Sequence, residues 1–230
     1  MNHEAREYGF TIVELMLAMS FVAALLLAIA MIVIQIANIY NRGITYIDVN
    51  QAGSSIASEL QRSIAGTTPF PVTDSGSFYV SQIFGGRLCT GKYSYIWNYG
   101  SVLQPLSSPR NVYSGGSTLP DIRFVKVLDT DKKYCPPTST VEIDPTNAVE
   151  LLDVGQHNLA IHSFSITSSA ADTATGQQMY NIVFTLGTND LAALTSDKNG
   201  CKPPSESGSD PAYCAVNQFN IIVRAGNADE

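Results

Sequence analysis

The feature that most constrains this chain is a long apolar segment near its N-terminus that carries a single charge. Glu14 is the only charged residue between Glu7 and Arg42, and the residues from Leu15 to Tyr40 are uncharged and mostly apolar. A segment of this length and composition predicts a helix that spans a membrane. A charge well inside a bilayer costs roughly 2.5–3.5 kcal/mol on insertion scales, so Glu14 is expected to have a function and a partner of opposite charge.

The residues around Glu14 form a recognisable motif. Gly9-Phe10-Thr11-Ile12-Val13-Glu14-Leu15, followed by the apolar segment, resembles the processing signal of type IV pilins and the related pseudopilins. The resemblance covers residues 9–65. It implies that a prepilin peptidase cleaves after Gly9 and methylates Phe10, and that Glu14 neutralises the N-terminal amine of a neighbouring subunit during assembly. The leader departs from the family pattern because Tyr8, and not a basic residue, precedes Gly9.

A secretory signal peptide and an ordinary membrane anchor are the alternatives for this segment. A secretory signal has a basic start and an apolar stretch of about 7–15 residues. Here Glu4 and Glu7 offset Arg6, and the apolar run reaches roughly 40 Å as a helix against a hydrocarbon core of about 30 Å. A plain anchor fits the length but leaves Glu14 without an explanation.

The helix is expected to continue beyond the membrane. Gly66 and Pro69 predict its end, and Gly43 and Gly53 are positions where it can bend or unwind. Residues at the spacing of one helical face predict a stripe that packs under the following domain: Val49, Ala52, Ile56, Leu60 and Ile64. The predicted organisation is a leader over residues 1–9, a helix over 10–65 with 10–40 in the membrane, and a head domain over 67–230.

The head domain is expected to be mainly antiparallel β, which makes the fold class α+β with a pilin-like layout. From Thr67 onward, short β-branched or aromatic segments alternate with Gly, Ser, Pro, Asn and Asp. These segments predict strands at residues 77–84, 93–99, 122–128, 157–167, 178–186 and 217–224. The segments 157–167 and 178–186 are expected to form an antiparallel pair with a long connection, and 189–194 one helical turn.

Four cysteines lie in the head domain: Cys89, Cys135, Cys201 and Cys214. The preceding apolar helix predicts an extracytoplasmic domain, where an even number of cysteines favours two disulfides. Three pairings are possible. Cys201–Cys214 is favoured because these residues bracket a loop rich in Pro, Ser and Gly, and Cys89–Cys135 then follows by elimination. A loop closed by cysteines near the C-terminus also resembles the corresponding region of type IV pilins.

Other chemistry is weakly signalled, and no catalytic residue, metal ligand or cofactor is predicted. Residues 86–92 fit the phosphate-binding pattern G-x4-G-K, but Tyr93 replaces the Ser or Thr that binds magnesium, and the next residues predict a strand. His157 and His162 are interpreted as ordinary strand residues. Asp197-Lys198-Asn199-Gly200 has a faint resemblance to a calcium loop and is interpreted as a turn. The alternating aromatics of 93–99 are expected in the core or at a subunit contact.

The function expected from the resemblance is a non-enzymatic structural subunit of a type IV pilus or related filament. Its partners would be other pilin subunits, the prepilin peptidase, the inner-membrane assembly machinery and membrane lipid, and its location a single-pass membrane protein and then the cell surface. The net charge of −7 disfavours nucleic acid as a partner, because like charges repel. A pseudopilin of a secretion system and a non-polymerising membrane-tethered binding module remain the alternatives.

Overall fold

The computed structural model describes residues 11–72, 78–103, 112–114, 122–135, 141–152, 158–169, 172 and 174–226. The chain divides into two compact units, Met1–Asn41 and Arg42–Glu230. The first unit, where described, is helical. The second unit contains the rest of the same helix and every strand of the described residues.

Helix α1 runs from Ile12 to Ala65. In the second unit, the predicted apolar stripe is confirmed, because Val49, Leu60 and Ile64 are fully buried and Ile56 nearly so. The helix ends as predicted: the amide and hydroxyl of Thr67 both donate to the carbonyl of Ile64, at 3.1 and 2.9 Å.

Helix α1 is not unwound at Gly43 or Gly53, the two positions where the sequence allows it to bend or unwind. The helix continues through both positions. Gly53 is buried, and a Cβ built on it would lie 2.0 Å from Cζ of Phe219. This glycine therefore lets an aromatic ring approach the helix backbone. At Gly43 a Cβ would meet nothing within 4 Å.

The head unit contains two antiparallel sheets and a small parallel pair. The strands are β1 Tyr79–Gln82, β2 Gly85–Cys89, β3 Tyr93–Asn98, β4 Val112–Ser114, β5 Phe124–Leu128, β6 Val141–Ile143, β7 Ala148–Glu150, β8 Leu159–Ser168, β9 Gln178–Thr188 and β10 Val216–Ala225. The first sheet has the order β1-β2-β3-β5-β7, the second β10-β9-β8, and β4 pairs with β6. A short helix α2, Gly100–Leu103, follows β3, and a 3-10 turn, Pro145–Asn147, precedes β7.

All six predicted strands are present, with ends shifted by a few residues. Four strands were not predicted, namely β2, β4, β6 and β7. The helical turn predicted after β9 is not formed. Residues 191–193 instead form a hydrogen-bonded turn, in which the Ala193 amide donates to the Asp190 carbonyl at 3.1 Å.

The antiparallel pairing of β8 with β9 is confirmed, with Phe164 opposite Phe184 and Ile166 opposite Ile182. The register shifts between Ile161 and Ser163. This β-bulge is what allows Ile161 and Phe164, three residues apart, to face the same side of the sheet.

The core of the head unit combines the α1 stripe with aromatic residues of both sheets. Trp97 and Phe124 from the first sheet are fully buried. Phe164 of the second sheet lies with its ring centroid 4.3 Å from that of Trp97. Of the alternating aromatics in β3, Tyr95 and Trp97 are fully buried, so these residues belong to the core.

Candidate functional site

The first turn of α1 contains a reciprocal pair of hydrogen bonds between Thr11 and Glu14. The Glu14 carboxylate accepts from the Thr11 amide at 2.9 Å and from the Thr11 hydroxyl at 2.8 Å. The Thr11 hydroxyl accepts from the Glu14 amide at 3.3 Å. This arrangement is a capping box, which satisfies two amides that would otherwise lack a partner at the start of the helix.

The capping box gives Glu14 a local structural role that the sequence analysis missed. The signal was present, because Thr11-Ile12-Val13-Glu14 has the T-x-x-E spacing of this motif. A carboxylate in the first turn also interacts favourably with the helix dipole. The exposed carboxylate therefore stabilises the start of α1, and its expected role in assembly stays a prediction. Gly9 and Phe10, the expected processing residues, lie outside the described residues.

The segment of α1 in the first unit is apolar on every side. Its large side chains between Ile12 and Tyr40 are between 46% and 78% exposed. The most apolar 18-residue window has a mean hydropathy of 2.9 and contains no buried residue. The hydroxyl of Ser20 is satisfied within the helix by donating to the Leu17 carbonyl at 2.9 Å. A helix that is hydrophobic all round needs a surrounding apolar phase or other helices, and this one is long and apolar enough to cross a membrane.

Two disulfides hold loops of the head unit: Cys201–Cys214 and Cys89–Cys135, each with 5.9 Å between Cα atoms. This is the pairing that the sequence analysis favours. Cys201–Cys214 closes part of the long connection between β9 and β10, where Cys214 packs with Ala193 and Leu194 in a small buried cluster.

The disulfide Cys89–Cys135 lies beside the buried carboxylate of Asp129. Asp129 accepts hydrogen bonds from the Ser94 hydroxyl at 2.6 Å and from the amides of Lys133 and Tyr134 at 2.7 and 3.1 Å. Among the described residues, Cys89, Asp129 and Cys135 are the one group with metal-ligand geometry. Because the two sulfurs are bonded to each other, the group offers no thiolate. Asp129 instead fixes the turn that the disulfide closes.

The segment that fits G-x4-G-K forms a hairpin and not a phosphate-binding loop. Its first half is strand β2, which pairs antiparallel with β3, and the segment is followed by strand β3 where a phosphate-binding loop requires a helix. Gly91 has φ +93°, as a tight turn requires. A Cβ on Gly86 would lie 2.4 Å from the Trp97 ring, so this glycine serves the packing of the core.

His162 is partly buried at the bulge of β8, and its Nε2 lies 3.1 Å from the Thr188 carbonyl, to which it donates. Burial lowers the pKa of His162 to about 4, so the imidazole is neutral at physiological pH. His157 lies outside the described residues.

The loop at Asp197 forms a turn held by its own side chains. The carboxylate accepts from the Thr195 hydroxyl at 2.6 Å and from the Asn199 amide at 3.3 Å. These bonds lower the pKa of Asp197. The carboxylate is thus used within the turn, in agreement with its interpretation as a turn.

Two further charged side chains, Glu150 and Arg87, hold backbone segments together. Glu150 accepts from the amides of Phe124 and Leu152 at 2.7 and 3.2 Å, and burial raises its pKa. Arg87 donates to the Tyr134 carbonyl at 3.2 Å. These interactions join neighbouring loops of the head unit.

The chain matches no protein-family model, no curated protein and no solved structure.

Proposed function

We propose that this protein is a structural subunit of a type IV pilus or a related filament. The observation that carries the proposal is the first unit of the chain. Its helix is apolar on every side, it begins with a lone carboxylate at Glu14, and Gly9-Phe10 precedes it in the sequence. A membrane anchor explains the apolar surface and the capping box explains the spacing of Thr11 and Glu14, whereas an assembling subunit also explains Gly9-Phe10 directly before the helix.

In this proposal, the apolar helix is held first in lipid and later among the helices of other subunits. Both environments bury the same exposed side chains, so the transfer exchanges one apolar surrounding for another. Repeated head-to-tail contacts of this kind generate an open filament and not a closed ring. The partners are membrane lipid, a prepilin peptidase, the assembly machinery of the inner membrane and further copies of the subunit.

Glu14 contributes its charge to assembly. Cleavage after Gly9 would create an α-amine on Phe10, and a neighbouring Glu14 would neutralise it in the apolar core. An unpaired carboxylate or ammonium is costly in such surroundings, whereas a pair offsets part of the cost of desolvation. The head unit, with its two disulfides, would lie outside the cytoplasm and form the surface of the filament.

Intact-mass measurement of the membrane-extracted protein tests the proposal. In a host with an active pilus system, we expect a single mature species that has lost residues 1–9 and gained one methyl group. A parallel host that lacks the prepilin peptidase provides the control and should yield the full chain. A mature protein that keeps residues 1–9 in the first host would refute the proposal, and a non-polymerising membrane-tethered module would then be the better account.

A further inference from the structure

A basic cleft of about 360 Å³ lies beside the end of α1 in the head unit. Its described lining carries three basic side chains, Arg62, Lys92 and Lys126, and one acidic side chain, Glu59. The ammonium of Lys126 forms a salt bridge with Glu59 at 2.5 Å, so the charges of Arg62 and Lys92 exceed what the lining balances. Both of these residues are exposed. The cleft therefore presents an excess of two positive charges on a chain whose net charge is −7.

An acidic loop, residues 189–215, connects β9 with β10. It contains four acidic and two basic residues, which gives it a net charge of −2: Asp190, Asp197, Glu206 and Asp210 against Lys198 and Lys202. The three aspartates accept hydrogen bonds from groups of their own turns. Glu206 lies in an exposed turn, and within the described part of the chain its carboxylate has no hydrogen-bond or ion-pair partner. Glu206 is therefore the carboxylate of this loop that is available to another molecule.

The cleft and the acidic loop lie at opposite ends of the head unit. The Thr45 hydroxyl lies 3.4 Å from the carbonyl oxygen of Ala212 in the loop, whereas the cleft is lined by the last turn of α1 around Arg62. At about 1.5 Å per residue, the helix from Thr45 to Arg62 is about 26 Å long. Strand β10 spans the same distance, because it follows the loop directly and the amide of Gly226, after its end, donates to the Thr67 carbonyl at 2.9 Å. The acidic loop therefore cannot enter the cleft of its own chain.

We propose that the basic cleft of one subunit binds the acidic loop of a second copy of the chain, with Glu206 of the partner subunit facing Lys92 and Arg62. The excess of two positive charges in the cleft matches the net charge of the loop. Contact between two clefts or between two loops would bring like charges together, which is unfavourable. The two copies therefore meet head to tail, and repetition of such a contact builds an open filament. The inference rests on the proposed function and adds to it a contact between head units.

Zero-length cross-linking of filaments with a water-soluble carbodiimide tests the contact, in protein from a host with an active pilus system. The reagent joins an amine to a carboxylate only where the two are in contact, and mass spectrometry of the peptides identifies the pair. Lys126 and Glu59 provide an internal positive control within one chain, because their atoms already form a salt bridge. We expect a second amide link, between Lys92 and Glu206, in covalent dimers and longer oligomers and not in monomers.

Exchange of the two charges separates a specific contact from general attraction. Lys92→Glu and Glu206→Lys should each lower the fraction of processed protein found in filaments roughly threefold, as expected when an exposed ion pair is replaced by a like-charge pair. The double variant restores opposite charges across the contact and should recover the wild-type fraction, which a folding defect in either single variant would prevent. Glu142→Lys reverses an exposed charge on β6 and should leave the fraction unchanged.

The results that would overturn this contact differ from those that would overturn the proposed function. Wild-type filaments that show the Lys126–Glu59 link but no link between Lys92 and Glu206 would refute the contact and leave the filament proposal standing. A Lys92–Glu206 link confined to monomers, or a double variant that assembles no better than the single variants, would do the same. Processed wild-type protein that never leaves the membrane would instead refute the proposed function, and this contact with it.

Discussion

Replacing Gly53 by alanine tests the contact between α1 and β10 on which the head unit depends. The new Cβ would lie 2.0, 2.2 and 2.6 Å from Cζ, Cε2 and Cε1 of Phe219. Since carbon atoms pack at about 3.5–4.0 Å, the ring must move by about 1.5 Å. That movement is opposed because Phe219 is stacked on Phe184, with 5.1 Å between ring centroids.

The magnitude follows from two opposing contributions to the free energy of unfolding. Alanine is favoured over glycine in a helix by about 1 kcal/mol, and overpacking a core costs about 1–3 kcal/mol. Gly43→Ala is the matched control, because a Cβ there meets nothing within 4 Å. Both variants gain the same helix propensity from alanine. Gly53→Ala should therefore have a free energy of unfolding about 1–3 kcal/mol lower than that of Gly43→Ala.

Thermal unfolding of both variants in the same detergent measures the difference, which corresponds to roughly 2–4 °C in Tm per kcal/mol for a domain of this size. Phe219→Leu removes the ring atoms that the new methyl would meet. In that background the penalty of Gly53→Ala should disappear, which gives a double-mutant cycle. Equal stability of Gly53→Ala and Gly43→Ala would refute the packing argument.

Two further predictions concern the head unit. The His162 imidazole should remain neutral until the pH approaches its folded-state pKa of about 4. This pKa lies below the ordinary histidine value of about 6.5. The stability that the neutral imidazole contributes is therefore fully present above a pH of about 6.5 and is lost as the pH falls through the folded-state pKa. NMR titration assigned with a His162→Gln variant measures this, and a midpoint near 6.5 would contradict the burial argument. Replacing Cys201 and Cys214 together by serine should destabilise the head unit by roughly 3 kcal/mol, measured by denaturant unfolding without reductant; equal stability of the double variant and the wild type would show that the bridge contributes nothing.

Features set by local periodicity were predictable from the sequence. The stripe from Val49 to Ile64 was confirmed because helical spacing alone fixes which side chains share a face. The pairing of β8 with β9 was predictable because both strands are long and rich in β-branched and aromatic residues, even though the bulge in β8 interrupts its alternation. By contrast, β4, β6 and β7 have three residues each, too few for alternation to be distinguished from chance.

Features set by distant contacts were not predictable. Gly53 was interpreted as a site of bending because a glycine in a helix is locally unfavourable, and its actual role depends on Phe219, far along the chain. At the candidate site, the capping box was not predicted, although Thr11 and Glu14 have the T-x-x-E spacing that indicates it. Arg62, Lys92 and Lys126 line one cleft of the head unit although they come from three separate segments, and no local pattern connects them.

The central claim is that the charge of Glu14, and not only its hydrogen bonds to Thr11, serves assembly. Glu14→Gln tests this most directly, because glutamine at this position retains a capping box while it removes the charge. The measurement is the fraction of processed protein recovered in filaments against the fraction retained in the membrane, compared with wild type and Glu14→Ala. The account predicts that Glu14→Gln inserts and is processed normally but stays in the membrane, as Glu14→Ala does. Entry of Glu14→Gln into filaments at the wild-type level would contradict it.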